Sequence, residues 1–211
     1  TLWDALPPVV AAVESGHVER LMRQWIDTVE RHRPPFAVAD AERRVALTLA
    51  GHALDLRIDR LDDLGDGRMA VIDYKTGMSV APERWFGERP QGPQLGLYAM
   101  ALDAGTRVAA LVYAQLKPGQ VKAVGLVDAE ATWPGLPAPA DLRRVSIADW
   151  TDAQRQLAAS IGALAQAAHD GDARIVPREP QVCRVCALMP LCHKAAADEA
   201  DDGGQDTAAD P

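Results

Sequence analysis

Residues 57–77 read RIDRLDDLGDGRMAVIDYKTG and contain the pattern that decides the fold. Residues 53–61 alternate between apolar and charged side chains, which is typical of a half-buried β-strand. Residues 62–67 have the composition of a turn, and a second strand runs from Met69 to Lys75 before a Thr-Gly pair ends it. The stretch is therefore predicted to form a β-hairpin centred near residues 65–66.

Three charged side chains are expected to meet in this hairpin. The two-residue period of a strand puts Asp73 and Lys75 on one face, with Tyr74 on the other. Antiparallel pairing would place Asp59 roughly opposite Asp73. Facing carboxylates repel each other unless a divalent cation lies between them, and their hard oxygens suit Mg²⁺ or Mn²⁺. A solvated hairpin face with ordinary surface charges is the alternative interpretation.

The rest of the chain completes a mixed α/β pattern. Helices are predicted from apolar residues at helical spacing over residues 9–32, 94–104 and 149–170. Further strands are predicted near residues 45–49 and over 107–114 and 120–127. The order helix, three strands, helix, two strands, helix predicts an α/β fold around one mixed sheet.

Composition and charge limit the class of protein. The 211 residues are 48% hydrophobic and 25% charged, which is typical of a globular chain. No apolar run approaches the ~18–20 residues of a spanning helix, and the start at Thr1 shows no secretory leader, so we expect a cytoplasmic fragment of a longer protein with no membrane partner. Residues 195–211 hold six acids and no base, and without them the net charge falls from −8 to −2. The acidic total therefore does not exclude a nucleic-acid partner.

Three cysteines lie close together near the C-terminal end. Cys183, Cys186 and Cys192 have the spacing C-x2-C-x5-C, and no other cysteine occurs in the chain. An odd number in one short segment does not fit a disulfide framework. Metal or iron–sulfur ligation is favoured over incidental thiols, and it indicates a reducing, intracellular compartment.

The charged hairpin resembles a known catalytic signature. Asp59, Asp73 and Lys75 are similar in order and spacing to the motif of the PD-(D/E)XK nuclease superfamily. The closer resemblance is to RecB-like nuclease domains, whose strands read like G-x-I-D-R-x-D and I-D-Y-K-T-G. Here residues 56–62 read LRIDRLD, with Leu-Arg where glycine usually precedes Ile-Asp, and residues 72–77 read IDYKTG.

Two further motifs carry the same resemblance, which extends over about residues 20–194. The segment QLGLY, from Gln94 to Tyr98, is similar to the Q-x-x-x-Y helix motif of RecB-like domains, and one helical turn puts both side chains on the same side. The cysteine spacing is similar to the three C-terminal ligands of the iron–sulfur staple in AddB-type members. The resemblance implies a restriction-endonuclease-like core, with a nuclease domain over residues 1–194 and an acidic low-complexity tail over 195–211.

The resemblance also implies a function. It implies metal-dependent hydrolysis of DNA phosphodiester bonds, as an exonuclease in DNA repair or recombination, on single-stranded DNA or a duplex end and with a helicase-like partner or domain. Asp59 and Asp73 would be ligands of Mg²⁺ or Mn²⁺, joined by the backbone carbonyl of Tyr74. Lys75 would position or deprotonate the attacking water and stabilise the reacting phosphate.

Other residues receive secondary roles from the resemblance. Glu42 would be a catalytic residue, as a metal ligand or an orienting group, although a solvent-facing acid is the alternative. Gln94 would bind substrate or hold the active site in place, and Tyr98 would do the same or simply pack. Many RecB-like domains carry an upstream histidine, for which His17 is the nearest candidate, but a surface histidine is the favoured interpretation. The pair Trp85-Phe86 could stack on DNA bases, although tryptophans more often fill a core.

The cysteine motif is incomplete in this chain. A 4Fe–4S cluster in the full-length protein would need a fourth cysteine ligand, which family precedent places N-terminal to the core and which is absent here. His193 could substitute for it only with awkward geometry. Two other functions stay open on the sequence: a catalytically inactive DNA-end-binding or scaffold module, and a structural metal-cluster domain.

Overall fold

A computed structural model describes residues 7–102 and 105–192. The chain divides into two compact units, Thr1–His169 and Asp170–Pro211. The predicted acidic tail and His193 lie outside the described residues. None of the helices within the described ranges is both long and apolar enough to cross a membrane.

Within the described residues, the first unit contains a five-stranded sheet and three α-helices. Its strands are β1 (Ala37–Leu49), β2 (His52–Asp63), β3 (Arg68–Lys75), β4 (Arg107–Lys117) and β5 (Gln120–Val127). Its helices are α1 (Pro8–Thr28), α2 (Gln94–Ala101) and α3 (Trp150–His169), and short 3₁₀ turns occur at Glu30–His32, Pro82–Trp85 and Pro139–Asp141. The predicted α/β fold, a mixed sheet flanked by helices, is confirmed.

The five strands lie in the order β1-β2-β3-β4-β5. All neighbours pair antiparallel except β3 and β4, which run parallel. Antiparallel neighbours can be joined by tight turns, whereas the parallel pair requires a long crossover, and this connection contains α2. The crossover brings the first turn of α2 close to the end of β3.

The hairpin of β2 and β3 has the register that the sequence predicts. Arg60 pairs with Ile72 and Leu61 with Val71, so that one step further along the strands Asp59 lies level with Asp73. Gly65, Asp66 and Gly67 all have positive φ in the turn, a conformation that glycine and aspartate tolerate.

Both faces of the sheet are covered by helices. Alternate residues of β3 belong to different cores, because Ile72 packs with Leu21 and Trp25 of α1, whereas Val71 packs with residues of α2 and α3. Side chains of β3 that share a face with Val71, including Asp73, therefore point toward α2.

The second unit contains two short helices within the described residues. These are α4 (Pro180–Arg184) and α5 (Met189–Cys192). Cys183 lies in α4, Cys192 in α5 and Cys186 between them, and all three are free thiols.

Candidate active site

Asp73 lies at the centre of the candidate site. It belongs to the buried part of β3 and is only 1% exposed. Its Oδ2 is 2.7 Å from the Nζ of Lys75, two residues further along the same face of the strand. Its Oδ1 accepts a 3.5 Å hydrogen bond from the hydroxyl of Tyr98 in α2. The alternation of the strand and the position of α2 therefore both aim polar groups at one carboxylate.

Asp59 reaches the same site from the neighbouring strand. Its Oδ2 accepts a 2.9 Å hydrogen bond from the backbone amide of Tyr74. The ladder between β2 and β3 stops at the pair Arg60–Ile72, so the Asp59 side chain continues the bonding where backbone pairing ends. Two carboxylates are thus held next to each other at the open end of the hairpin.

Four side chains form a closed ring of polar contacts. The ammonium of Lys75 donates to Gln94 Oε1 at 2.5 Å, and Gln94 Nε2 donates to the Tyr98 hydroxyl at 2.6 Å. The Tyr98 hydroxyl donates to Asp73 Oδ1, and the ion pair between Asp73 Oδ2 and the Lys75 ammonium closes the ring. Gln94 begins α2 and Tyr98 follows one turn later, so the helix presents both groups to β3. The ring fixes where the Lys75 ammonium points.

The electrostatics of the site disfavour a charged Asp73. Burial raises the pKa of its carboxyl above the ordinary value, and the negative charge of Asp59 adds to the effect, while the Lys75 ammonium and the Tyr98 hydroxyl oppose it. Burial also raises the pKa of Tyr98, which therefore stays a neutral donor. The site holds more negative charge than its protein partners neutralise.

These residues fit a hard divalent cation. Asp73 Oδ2 is buried and accepts no hydrogen bond of good geometry, despite its proximity to Lys75. A buried carboxylate oxygen of this kind beside a second carboxylate is a donor set that Mg²⁺ or Mn²⁺ prefers. Within residues 7–102 and 105–192, no three His, Cys, Asp or Glu side chains are grouped closely enough to hold a metal ion. The two aspartates would therefore need a backbone or solvent oxygen to complete a shell, and the Tyr74 carbonyl is the predicted one.

Glu42 stands apart from the two aspartates. It lies in β1 level with Asp59, between the pairs Ala41–Arg60 and Arg43–Ile58, but its φ of 58° takes it out of the regular strand conformation. Its Oε2 forms a 2.9 Å ion pair with Arg57, and the side chain is 60% exposed. The structure does not group Glu42 with Asp59 and Asp73, so its catalytic role stays a prediction.

The other sequence candidates fall in different places. His17 lies on α1, which packs on the face of the sheet opposite to Asp73. Trp85 and Phe86 are 2% and 1% exposed, so the prediction that this pair could stack on DNA bases is wrong. The indole nitrogen of Trp85 donates to the carbonyl of Val80, so its hydrogen-bond donor is satisfied inside the protein. Their apolar bulk fills the core beneath the loop.

Tyr113 is a site neighbour that the sequence analysis missed. It lies in β4 directly beside Asp73 in the sheet, and its ring centroid is 5.5 Å from the Lys75 ammonium. Its hydroxyl donates to the carbonyl of Gly92, just before α2. Burial raises its pKa, so that it stays neutral. Only the parallel pairing of β3 with β4 reveals it, because the two residues are far apart in the chain.

The three cysteines are not gathered into a site. No group of three potential ligand side chains exists in the described part of the chain. The iron–sulfur assignment for Cys183, Cys186 and Cys192 therefore stays a prediction.

Comparison with known proteins connects this geometry to a family. Residues 3–193 match the family described as the PD-(D/E)XK nuclease superfamily. A comparison with curated proteins gave no match. The family match spans the sheet, α2 and the cysteine segment, and therefore includes every residue of the candidate site.

Proposed function

Because the chain belongs to the PD-(D/E)XK nuclease superfamily, we propose that it is a metal-dependent DNA nuclease of the RecB/AddB-like type. The observation that carries the proposal is the buried Asp73 carboxylate, which lies beside Asp59 and whose Oδ2 is paired with the Lys75 ammonium at 2.7 Å. The RecB-like motifs support an exonuclease role in DNA repair or recombination, with a helicase-like partner or domain.

The residues of the site divide the chemistry between them. Asp59, Asp73 and the Tyr74 carbonyl would hold Mg²⁺ or Mn²⁺, which when bound polarises a phosphoryl oxygen and makes water a better nucleophile. Lys75 would donate to the phosphate as negative charge develops on it and orient the attacking water. Gln94 holds the ammonium of Lys75 in place from α2. Tyr98 connects the Gln94 amide to Asp73, so that the proposed metal ligand Asp73 and the Lys75 ammonium keep a fixed separation.

A catalytically inactive DNA-end-binding module is the main competing function. Such a module would have no physical reason to keep two adjacent carboxylates, one of them buried, because this arrangement costs stability. The retained lysine and its ring of partners also favour cleavage over simple binding. A structural metal-cluster domain would depend on the cysteines, which are not assembled in the described residues.

The proposal is tested by cleavage of labelled DNA, single-stranded and duplex, with Mg²⁺, with Mn²⁺ and with a chelator. We expect cleavage with either metal and none with chelator. Lys75→Ala should reduce the rate by roughly 10²–10³-fold, the scale of a lost transition-state stabiliser, while metal binding persists. Lys122→Ala is the matched control, because Lys122 is an exposed lysine on β5.

The two aspartates are tested by direct metal titration. Asp73→Ala should abolish both Mn²⁺ binding and cleavage, whereas Asp55→Ala, which removes an exposed carboxylate of the same strand as Asp59, should change neither. Cleavage by Lys75→Ala at the parent rate would refute the assigned mechanism. Unchanged Mn²⁺ binding in Asp73→Ala would refute the metal site.

A further inference from the structure

Tyr74 lies where β3 has left its backbone pairing with β2. The ladder between these two strands ends at the pair Arg60–Ile72, two residues before Tyr74. The Tyr74 amide donates instead to the Asp59 carboxylate at 2.9 Å. On its other side β3 continues its parallel pairing, with Tyr74 opposite Ala114 of β4. On the β2 side, a side chain therefore replaces the backbone ladder at this point.

The Tyr74 side chain is held on the face of the sheet opposite to Asp73. It is half-buried and packs against the core cluster that contains Trp25 of α1. Its hydroxyl accepts a 3.1 Å hydrogen bond from Nη1 of Arg60. Asp59 and Arg60, which are consecutive residues of β2, thus hold Tyr74 at two points, the backbone amide and the hydroxyl.

Arg60 is itself fixed by buried carboxylates. Its Nε and Nη2 donate to the two oxygens of Asp62 at 2.6 and 3.1 Å, and Asp62 is fully buried. Its Nη1 also donates to Glu30 at 2.6 Å, and Glu30 accepts a second hydrogen bond from the Trp25 indole. A bidentate pair with a carboxylate holds the planar guanidinium in one orientation. Arg60 therefore offers Tyr74 a donor in a fixed position.

The position of the Tyr74 backbone matters because its carbonyl is the proposed third ligand of the metal. A backbone carbonyl belongs to a planar peptide unit and moves only with the strand that carries it. Groups that hold a metal ligand in place without binding the metal typically change its affinity by roughly 10–100-fold when they are removed. Arg60 stands in this relation to Tyr74, because it contacts the residue but is not a proposed ligand.

We propose that Arg60 is a positioning residue for the metal site, and that it acts through the hydroxyl of Tyr74 to fix the Tyr74 carbonyl. The inference rests on the proposed function, since it requires that this carbonyl binds Mg²⁺ or Mn²⁺ together with Asp59 and Asp73. Arg60 contacts neither the metal nor the substrate. It holds β3 at the point where the ladder with β2 has ended.

The first test compares Mn²⁺ binding by the full chain and by Tyr74→Phe, measured by the loss of the EPR signal of free Mn²⁺. The variant keeps the ring in the core but removes the hydroxyl, while Nη1 of Arg60 retains Glu30 as an acceptor. We expect the Mn²⁺ Kd to increase about tenfold with little change in Tm.

Val127→Ala is the matched control for a general loss of stability. Val127 belongs to the same core cluster as Trp25 but lies in β5, away from the site. The substitution should lower Tm and leave the Mn²⁺ Kd at the parent value. An equal rise of the Kd in Val127→Ala and Tyr74→Phe would overturn the proposal.

The second test needs no metal. Hydrogen exchange of the residue-74 amide is measured by NMR in chelator, in the parent chain and in Tyr74→Phe. This amide donates to Asp59, so its exchange reports whether β3 is held at this point. We expect faster exchange at residue 74 in the variant, whereas the amide of Val71, in the paired part of β3, should keep its parent rate.

Arg60→Lys tests whether the hydroxyl acts through Arg60. Lysine keeps the charge but loses the planar fork that holds Asp62 and Tyr74 together. If the variant folds, its Mn²⁺ Kd should rise at least as far as that of Tyr74→Phe, and the double variant should bind no more weakly than Arg60→Lys alone. If it does not fold, the two measurements on Tyr74→Phe decide.

The outcomes separate this inference from the proposed function. A parent-like Mn²⁺ Kd in Tyr74→Phe would overturn the inference and leave the nuclease proposal standing. Weaker binding without faster exchange, or an additive loss in the double variant, would also overturn it, because the hydroxyl would then act by another route. Absence of Mn²⁺ binding by the parent chain would overturn the proposed function and this inference together.

Discussion

At the scale of single residues, the buried charge of Asp73 is expected to lower the stability of the folded state. Its carboxylate is buried, pairs with the Lys75 ammonium and lies close to a second carboxylate, so that two negative charges share one positive charge. A buried charge that is incompletely partnered destabilises the folded state. A site prepared for a cation should therefore be less stable without that cation than an uncharged version of itself.

Asp73→Asn is expected to abolish cleavage and to raise the free energy of unfolding by about 1–2 kcal/mol in chelator. The amide keeps the shape of the side chain but removes the repulsion from Asp59. Chemical denaturation followed by circular dichroism measures the change. Asp55→Asn should alter stability by no more than about 0.5 kcal/mol, since its ion pair with Arg44 is exposed. A loss of stability in Asp73→Asn would mean that the carboxylate is structurally required.

Two substitutions at Tyr98 distinguish the packing of its ring from the hydrogen bonds of its hydroxyl. Tyr98→Phe keeps the buried ring but removes the hydroxyl between Gln94 and Asp73, so it should reduce cleavage with little change in Tm. Tyr98→Ala should also cost ~2–4 kcal/mol of stability, because it truncates a side chain that is 4% exposed. Gln94→Ala should behave like Tyr98→Phe, since Gln94 is only half-buried. Equal losses of Tm in Gln94→Ala and Tyr98→Ala would show that Gln94 is structural.

The sequence predicts residue positions where local periodicity controls them. Asp73 and Lys75 share a face because a strand repeats every two residues, and Asp59 follows from the short turn of the hairpin. Glu42 could not be placed in this way, because its positive φ and its ion pair with Arg57 depend on the neighbouring strand. Tyr113 was missed for a similar reason, since β4 approaches β3 only through a crossover.

At the scale of elements, strand burial decides what can be predicted. The inner strand β4 is buried on both faces and reads as a nearly continuous apolar run, which the sequence reveals. The predicted strand near residues 45–49 is wrong in length, because β1 starts at Ala37. The extra residues form an exposed edge with polar and charged side chains, so they carry no hydrophobic alternation.

Two glycines provide a matched test of element packing. A Cβ at Gly125 in β5 would lie 2.2 Å from the carbonyl oxygen of Leu111 in β4, so Gly125→Ala must distort the sheet and should cost more than about 2 kcal/mol. A Cβ at Gly162 in α3 would meet nothing within 4 Å, so Gly162→Ala should stabilise the helix by about 0.5–1 kcal/mol. Thermal denaturation of both variants should show shifts of opposite sign. A stabilising shift in Gly125→Ala would contradict the close approach of β5 to β4, and a destabilising shift in Gly162→Ala would contradict the open space beside α3.

At the scale of the whole molecule, a buried charge network links distant parts of the first unit. Asp62 is fully buried and accepts hydrogen bonds from Arg33 and Arg60, while Arg60 also donates to Glu30 and to the hydroxyl of Tyr74. Burial lowers the pKa of Arg60, but its bonds to Asp62 and Tyr74 more than compensate and raise it. The sequence could not predict this network, because Arg33 and Asp62 are 29 residues apart and their types alone suggest surface positions.

Limited proteolysis should divide the molecule at the boundary between its two units. Residues 172–177 have no helix or strand, and Arg174 is 76% exposed on its side chain. Trypsin is therefore expected to cut first after Arg174 and to leave a resistant fragment that ends there, as measured by mass spectrometry over time. Arg44 in β1, with a similarly exposed side chain, is the internal control, since it is held in a strand. Earlier cleavage after Arg44 would contradict the compactness of the first unit.

The parallel pairing of β3 and β4 also has a consequence during protein synthesis. Asp59, Asp73, Lys75, Gln94 and Tyr98 all leave the ribosome before β4, yet Tyr113 and the rest of β4 are needed to enclose Asp73 and to place β3 in the centre of the sheet. A nascent chain that ends before Arg107 thus holds these five residues of the candidate site without the strand that orders them. The proposed hydrolytic activity is therefore expected to begin only after β4 has been made and paired with β3, which ties its onset to the completion of the fold.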